Sequence, residues 1–552
     1  MKLKIFNQKN KLTSEQKREI RKDRVLIILS GILIGISFTP FPMPFPLFLF
    51  FAFIPYFFVL EKRNTLLKIN QGNYLLVFVL SIVTIYWVGS WQSKADPFLM
   101  MGGGVLIFFY PVVFFIPSTL YYLSSKIFKG KFILWLFPLF WVTAEFLLTL
   151  TDLKFPWLTL GHGLAKFTAF IQIADITGAF GLSLIVLYIN IFLFKAAKII
   201  SAGSRKFIPQ ISLAILLFII PVIYGTVKLN NYKESVNKIR VGVIQPNIDP
   251  WDKWEVGGLN DLVKLYFELS QKCIDQGADI ILWPETALPV YLLSDSYQST
   301  VDTIYSFLKM NNVHLMTGMP DIKFYFNKDE APENSKFAMD AEYYYTTYNA
   351  ILLFSPDETE VQRYGKMHLV PLGEKTPFVD QIPFLGNLLK WGVGISGWNT
   401  GQDTTVFTAN INSRAVKIGG LVCFESVFPV FATHFVERNA QFLVVVTNDS
   451  WYGNSSGPYQ HKEFAALRAV ENRRAVVRSA NGGISCLIDQ RGITIKETEM
   501  FTRDNLVVDV SLNDEKTFYT QNPFIFPVLC SVFSLWIFGM NILLWMKKKF
   551  KL

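Results

Sequence analysis

Apolar runs long enough to cross a lipid bilayer recur through the N-terminal 230 residues of the chain and appear once more near its C-terminus. A helix needs about 17–25 mostly apolar residues to span the hydrocarbon layer. Eight such runs can be placed, at 24–41, 43–60, 73–92, 102–125, 132–150, 176–197, 207–228 and 524–546. The sequence therefore predicts a polytopic α-helical membrane domain with about eight spans.

The charge of the chain supports the same interpretation. Charged residues make up 17% of the sequence, below the roughly 25% that is typical of soluble domains. The net charge is +10, but much of the Lys and Arg lies in the two tails and in short loops, where it marks membrane topology. We therefore expect no nucleic-acid partner. The proline-rich stretch 39–44 leaves a re-entrant hairpin open as an alternative to two full spans.

Lysine and arginine in alternate loops predict the orientation of the spans. Basic residues cluster before the first run and after the second, fourth and sixth runs, whereas the intervening loops carry few. Cytoplasmic loops hold the excess of Lys and Arg in membrane proteins. The N-terminus is therefore predicted to be cytoplasmic, and the segment after the seventh run to lie outside. The eighth run then returns the basic tail, which includes Lys547 and Lys551, to the cytoplasm.

The segment between the seventh and eighth runs has the pattern of a folded extramembrane domain. We divide the chain into a membrane domain at 1–230, an extramembrane domain at 231–521, and a C-terminal span with its tail at 522–552. Strand-like and helix-like patterns alternate in the middle segment, which argues an α/β layered fold. The predicted strands are 239–245, 280–283, 313–318, 349–354, 415–422 and 442–447. An active site is expected where such strands end in loops.

Three chemically reactive side chains follow strand-like runs in this segment. Glu285 follows the run 280–283, Lys366 lies in a turn-like segment, and Cys423 follows the run 415–422. A thiol reacts as its thiolate, so a nucleophilic cysteine needs a base or a lowered pKa. A carboxylate can take that proton, and an ammonium can stabilise the thiolate and an oxyanion. The three residues form a candidate set for covalent catalysis. The simpler alternative is that Glu285 and Lys366 are solvated charges and Cys423 is a buried apolar thiol.

Histidines offer a rival base. His368, His434 and His461 are candidates for a Cys–His mechanism, but no pattern in the sequence pairs any of them with Cys423. His461 opens a helical run and is expected to be a structural hydrogen-bonding residue. The four cysteines are widely scattered without a CxxC pair, which argues against a disulfide framework and a zinc site. We expect no metal and no cofactor.

Longer motifs surround the reactive residues and carry a family resemblance. They are IILWPE at 280–285, YGKMHLVPLGE at 364–374 and GLVCFE at 420–425, together with FPWL at 155–158, NDSWYG at 448–453, GPYQH at 457–461 and RSANGG at 478–483. Through them the segment 239–510 resembles the nitrilase, or carbon–nitrogen hydrolase, superfamily. Nearly the whole chain resembles one family of that superfamily, the apolipoprotein N-acyltransferases of the bacterial inner membrane. The resemblance implies an αββα sandwich on the periplasmic face.

The resemblance also implies roles for individual residues. Cys423 would be the nucleophile, Glu285 the general base and Lys366 the amine that stabilises the oxyanion. Glu374 and Glu425 match further acidic positions that support the active site, and Trp254 matches an aromatic residue near the substrate entrance. Phe424 stands where relatives often have Tyr, so a side-chain hydroxyl is absent there, although its backbone N–H remains available to an oxyanion.

Two further segments stand out in the extramembrane domain. The stretch 382–394 is strongly apolar and bracketed by glycines. It is expected to form a mobile lid that dips into the membrane interface through Leu388, Leu389 and Trp391, with simple core packing as the alternative. The polar stretch 324–345 is expected to be an inserted surface loop without chemistry.

The resemblance implies an acyl transfer that proceeds through a Cys423 thioester with ping-pong kinetics. The donor would be a bilayer phospholipid, acylated at sn-1, and the acceptor the α-amine of the diacylglyceryl-cysteine of an apolipoprotein. The main alternative is a membrane-tethered nitrilase-type amidase that acts on a small amide. A transporter or scaffold with a degenerate domain is a third reading, disfavoured because the spans carry few ionisable residues apart from Glu145. Nothing in the sequence demands more than a monomer.

Overall fold

The computed structural model of the protein describes residues 13–128, 132–251, 258–339, 342–378 and 397–550. The part before residue 231 is helical. Its α-helices are α1 (Ser14–Gly35), α2 (Ile54–Leu60), α3 (Leu66–Ile85), α4 (Pro97–Val113), α5 (Phe115–Ile127), α6 (Phe137–Leu147), α7 (Thr168–Ile171), α8 (Ala174–Ser201) and α9 (Ile208–Asn230). The last helix of the chain, Ile525–Phe550, returns to this bundle and packs on α5 and α6.

Five apolar helical segments within the described ranges are long enough to cross a membrane. They are Leu66–Gly89, Pro97–Ile127, Ala174–Ser201, Ile208–Asn230 and Ile525–Phe550. Shorter apolar segments, Phe45–Leu60 and Ile133–Leu147, occupy the second and fifth predicted runs. The first predicted run falls in α1, whose N-terminal half is charged. Prolines lack a backbone N–H and interrupt helices, which explains why 39–46 forms a turn and a short 3-10 helix (Phe45–Phe50) instead of one long span.

The middle of the chain forms two mixed β-sheets. The strands are β1 (Lys238–Gln245), β2 (Ile280–Trp283), β3 (His314–Tyr325), β4 (Lys336–Ala338), β5 (Tyr343–Phe354), β6 (Gln362–Gly365), β7 (Val406–Ile411), β8 (Arg414–Val422), β9 (Phe442–Thr447), β10 (Val476–Ala480), β11 (Cys486–Ile488), β12 (Thr494–Glu497) and β13 (Asp504–Ser511). In the described residues the first sheet has the order β13-β1-β2-β3-β5-β4 with β6 on β5, and the second has the order β12-β11-β10-β9-β8-β7.

The two sheets pack face to face and carry helices on their outer sides. Strands β1 and β5 of the first sheet contact β10 and β8 of the second. Helices α10 (Leu259–Ile274) and α11 (Gln298–Asn311) share a buried apolar cluster with the outer face of the first sheet. Helices α12 (Phe431–Glu437) and α13 (Ser456–Asn472) pack with the second sheet. The expected αββα sandwich is therefore observed.

Parallel strands at the centre of each sheet place their C-terminal ends at one edge. Strands β1, β2 and β3 run parallel, with Val241 opposite Ile280 and Ile280 opposite His314. Strands β8, β9 and β10 are likewise parallel. Loops at the C-terminal ends of parallel strands are the usual place for a site in such sheets, and here those loops face the helical bundle.

The two ends of the stretch 324–345 belong to the first sheet, and most of the described residues between them form an exposed connection, as expected of a surface loop. Strands β3 and β5 extend into it as an antiparallel pair, with Phe324 opposite Tyr345 and Tyr325 opposite Tyr344. Strand β4 adds to β5 at its edge. Aromatic residues pair well across strands, which explains why the sheet extends into the two ends of this segment.

Candidate active site

The three reactive residues predicted from the sequence meet in one cavity. Glu285 follows β2, Lys366 directly follows β6, and Cys423 directly follows β8. All three line a cavity of about 350 Å³. The strands that carry them lie in two different sheets, so the packing of the sandwich brings them together.

Lys366 is held between two carboxylates. Its Nζ donates to Glu374 Oε1 at 2.8 Å and to Glu285 Oε1 at 3.4 Å. Lys366 is 1% exposed, so these carboxylates supply the compensation that a buried ammonium requires. Burial alone would lower the pKa of Lys366, but Glu374 and Glu285 raise it above its ordinary value. The two carboxylates therefore favour the charged form of Lys366 in the cavity that Cys423 also lines.

A buried asparagine fixes both carboxylates. Asn349 Nδ2 donates to Glu285 Oε1 at 2.7 Å and to Glu374 Oε1 at 2.9 Å. The backbone of Asn349 also accepts from Lys366 N at 2.8 Å. Because Glu285 Oε1 accepts from both Asn349 and Lys366, its Oε2 is the oxygen left to accept a proton. Asn349 lies inside β5, away from any strand end, and no pattern in the sequence indicates this role.

Cys423 lies on a sharp turn between β8 and a 3-10 helix (Cys423–Val427). Its φ is +51°, a conformation that costs non-glycine residues energy and is held only by surrounding contacts. Its carbonyl oxygen accepts from Ser426 Oγ at 2.8 Å and lies 2.9 Å from His461 Nε2. These contacts fix the strained turn and leave the thiol side partly exposed to the cavity.

The thiol of Cys423 is not a preformed thiolate. Burial raises its pKa, the carboxylate of Glu285 raises it further, and the ammonium of Lys366 lowers it. The balance places the pKa of Cys423 above its ordinary value, so the thiol is protonated at neutral pH. A nucleophilic role therefore requires a base at the moment of attack, and Glu285 lines the same cavity.

Glu425 ties the lysine loop to the turn that carries Cys423. Its carboxylate accepts from Tyr364 OH at 2.7 Å, Met367 N at 2.6 Å, His368 N at 3.1 Å and Val422 N at 2.8 Å. Burial raises the pKa of Glu425 to about 7, against these hydrogen bonds, which lower it. Glu425 does not line the cavity within the described residues, and its contacts make it a structural link between Lys366 and Cys423.

Asp449, His461 and Arg478 form a buried polar network behind Cys423. His461 Nδ1 lies 2.8 Å from Asp449 Oδ1, and Arg478 Nη2 donates to Asp449 Oδ2 at 2.9 Å. Donor atoms of Cys423, Asp449 and His461 lie within 4.8 Å of one another, a spacing that a metal ion could also use. Both Asp449 oxygens already have partners, one of them a cationic guanidinium, so hydrogen bonding explains the cluster. His461 makes the hydrogen bonds expected from its sequence context, and it also lies beside Cys423, a proximity that the sequence did not indicate.

A membrane helix forms one wall of the cavity. Leu99, Gly102, Leu106 and Phe109 of α4 line it, and their spacing places them on one face of the helix. Trp87 and Trp157, from two other segments of the N-terminal part, complete this wall. This side of the cavity is therefore apolar and is formed by a helix long enough to cross a bilayer.

The remaining predicted site residues have different outcomes. Glu374 lies in the site beside Lys366 as expected, and Phe424 is buried, where it packs on Phe155 and Phe428. Four predicted residues lie outside the described parts of the chain: Trp254, Leu388, Leu389 and Trp391. The entrance and lid roles therefore remain predictions. Sequence reasoning missed Asn349 and the α4 wall.

Comparisons with known proteins match both parts of this architecture. Residues 30–192 match the family model of the apolipoprotein N-acyltransferase N-terminal domain, and residues 240–519 match that of the carbon–nitrogen hydrolases. An apolipoprotein N-acyltransferase from Chlorobaculum tepidum is 32% identical over 93% of this chain and 95% of its own. One from Geobacter metallireducens is 31% identical over 92% and 93%. One from Rickettsia typhi is 29% identical over 87% and 90%. The chain is a membrane protein of the apolipoprotein N-acyltransferase family, with a carbon–nitrogen hydrolase domain.

Proposed function

We propose that the protein transfers a fatty acyl chain from a membrane phospholipid, at sn-1, to the α-amine of the diacylglyceryl-cysteine of an apolipoprotein. The observation that carries this proposal is the composition of the cavity. It joins a Glu–Lys–Cys set to an apolar wall built from α4, so a substrate that reaches Cys423 along this wall comes from the bilayer. The names of the relatives point to the same acceptor.

The first half-reaction forms a thioester on Cys423. Glu285 Oε2 takes the proton from Sγ as the thiolate attacks the ester carbonyl carbon of the phospholipid. Lys366 uses two N–H groups on carboxylates in the described site, and the third is available to the oxyanion of the tetrahedral intermediate. The C–O bond then breaks. Glu285 gives its proton to the departing oxygen, and the lysophospholipid leaves as an alcohol.

The second half-reaction passes the acyl chain to an amine. The neutral α-amine of the acceptor attacks the thioester carbonyl carbon, and Glu285 takes a proton from the attacking nitrogen. The C–S bond breaks, Glu285 returns the proton to Sγ, and an amide is formed. Because both substrates use the same thiol in turn, the kinetics should be ping-pong.

The apolar wall explains why an amine prevails over water. A thioester is vulnerable to hydrolysis, and excluding water from the site limits this competing reaction. Leu99, Leu106 and Phe109 of α4 face the cavity, with Trp157 beside them. An amidase that acts on a small soluble amide would use the same three reactive residues but has no need of this wall, so the acyl transfer accounts for more of the structure.

The placement of the chain in the membrane is part of the proposal. We infer a membrane domain at 1–230, a catalytic domain at 231–521 on the periplasmic face of the bacterial inner membrane, and a returning helix at 522–552. Both termini would be cytoplasmic, as the loop charges indicate. The catalytic segment would then meet phospholipid and lipoprotein on the same side of the bilayer.

The test is a reconstituted transfer reaction. Purified protein is mixed with a phospholipid that carries an isotopically labelled sn-1 chain and with a synthetic diacylated lipopeptide. We expect the lipopeptide to gain the labelled chain on its N-terminal amine, as tandem mass spectrometry reads directly, and Cys423→Ala to give no product. Labelled free fatty acid in place of acylated peptide would indicate a hydrolase. If no label left the phospholipid, the proposal that its sn-1 chain is the acyl donor would be contradicted.

A further inference from the structure

A single glutamine in helix α13 connects the helical membrane part to the catalytic segment. Gln460 is 1% exposed, and its amide makes four contacts with the N-terminal part of the chain. Its Nε2 donates to the carbonyl oxygens of Thr39 at 2.8 Å and Thr84 at 3.0 Å. Its Oε1 accepts from Trp157 Nε1 at 2.7 Å and Trp87 Nε1 at 3.1 Å. The two amide donors of Gln460 thus bind backbone carbonyls, and its carbonyl oxygen accepts from two indole N–H groups, all from the N-terminal part of the chain.

The residue after Gln460 supports the nucleophile. His461 lies 2.9 Å from the Cys423 carbonyl oxygen and 2.8 Å from Ser426 Oγ through its Nε2. Both residues belong to the same turn of α13, so a displacement of Gln460 moves His461 with it. The strained turn at Cys423 therefore depends on α13, and the hydrogen bonds of Gln460 to the N-terminal part of the chain fix the position of that helix.

Close packing leaves this junction little freedom. A Cβ on Gly457, one turn before Gln460, would lie 2.6 Å from the Trp87 ring. Trp157 packs on the ring of His461, with centroids 5.8 Å apart. The two tryptophans also line the reactive cavity. Gln460 consequently fixes one cavity wall and the support of the turn at the same time.

We propose that Gln460 is a positioning residue through which the ends of the membrane helices hold Cys423 in its reactive conformation. The proposal rests on Cys423 being the reacting group of the proposed function. It predicts that the reactivity of the thiol depends on the membrane part of the chain, whichever acyl acceptor the enzyme uses. Neither Thr39, Thr84 nor Gln460 was a candidate from the sequence, because their contacts join segments more than 370 residues apart.

The test compares two substitutions in the same helix. Gln460→Met keeps the length of the side chain but removes all four hydrogen bonds. The control is Glu463→Gln, which weakens another contact between α13 and the N-terminal part, the 2.8 Å ion pair with Lys166, without touching the support of Cys423. The readout is the rate of alkylation of Cys423 by iodoacetamide in the full-length detergent-purified protein, followed by peptide mass spectrometry.

We expect Gln460→Met to slow alkylation about tenfold or more, because relaxation of a strained backbone turn removes the reactive geometry. Glu463→Gln should stay within about twofold of wild type, because the Glu463 carboxylate pairs with Lys166 and Lys462 and shares no partner with the turn at Cys423. Equal rates for wild type and Gln460→Met, or equal slowing in both variants, would overturn the proposal. Iodoacetamide needs no lipid, so the comparison decides this point even if the wild type transfers no acyl chain.

A second measurement covers the case in which Gln460→Met does not fold. Gln460→Glu keeps both acceptors for the indole N–H groups and loses only the donors to Thr39 and Thr84. Hydrogen exchange of the amides of residues 423–427 should accelerate in this variant while exchange in β9 stays unchanged. Unchanged exchange at 423–427 together with wild-type alkylation would refute the positioning role.

Discussion

Replacing Glu285 by Gln separates its proposed role as a base from the effect of its charge. The substitution is isosteric, and a Gln Oε1 can still accept from Asn349 Nδ2 and Lys366 Nζ, as Glu285 Oε1 does at 2.7 and 3.4 Å. Lys366 also keeps its 2.8 Å partner Glu374. The local geometry should therefore persist, while the basic oxygen and the negative charge disappear.

The two effects of this change act in opposite directions on Cys423. Loss of a general base typically costs about 10²–10⁴-fold in rate, which is about 3–5 kcal/mol of transition-state stabilisation. The charge of Glu285 raises the pKa of Cys423, so its removal lowers that pKa and shifts the onset of thiol alkylation to lower pH. In the wild type the raised pKa means that the alkylation rate keeps rising through the pH range in which an ordinary cysteine, with a pKa of about 8.5, levels off.

Two assays on the same preparation test this reasoning. Acyl transfer to the lipopeptide is measured at neutral pH, and the pH dependence of iodoacetamide alkylation is measured on wild type and Glu285→Gln, with Cys423→Ala as the blank. We predict a variant that is more readily alkylated near neutral pH and yet loses transfer. Transfer at the wild-type rate in Glu285→Gln would refute the role of Glu285 as the base. An alkylation profile shifted to higher pH would show that the charge of Glu285 does not raise the pKa of Cys423.

Three further substitutions test the groups around the base. Lys366→Met should lower transfer by about 10²–10³-fold, because it removes an oxyanion donor. It should also lower the melting temperature, since Glu285 and Glu374 are left buried without their cation. A melting temperature at or above that of the wild type would contradict this reasoning. Glu425→Gln places an amide donor against backbone N–H groups, so unfolding should become easier by about 2–4 kcal/mol in calorimetry, and an unchanged thermogram would contradict the link. Asn349→Leu should reduce transfer far more than iodoacetamide alkylation, and equal effects on the two rates would show that it does not orient the base.

Local patterns predicted the elements that carry the reactive residues well. The strands 280–283 and 442–447 have the predicted bounds, because each is a short apolar run enclosed by polar or turn residues, a pattern typical of buried strands. Glu285 and Cys423 were recognisable for a similar reason, since Glu285 lies two residues after such a run and Cys423 directly after another. The residue types then limited the chemistry before any geometry was known.

Contacts between distant segments could not be predicted in this way. Asn349 was assigned only to a strand, since its side chain acquires a role when β5 lies beside the loop that carries Lys366. The α4 wall was invisible for a similar reason, because periodicity identified an apolar helix but not which of its faces meets the catalytic segment. The short helices around Phe45–Phe50 differ from the predicted full span because prolines, not hydropathy, determine where a helix can run.

The central claim is a covalent acyl-enzyme on Cys423, and intact-mass analysis of the full-length protein tests it directly. The protein is incubated with phospholipid alone, beside Cys423→Ala. We predict a fatty-acyl mass increment on wild type that hydroxylamine removes, that the variant lacks, and that a diacylated lipopeptide discharges onto its own N-terminal amine. Lipopeptide acylation without any adduct on the enzyme would contradict the thioester and require direct transfer between the two lipids.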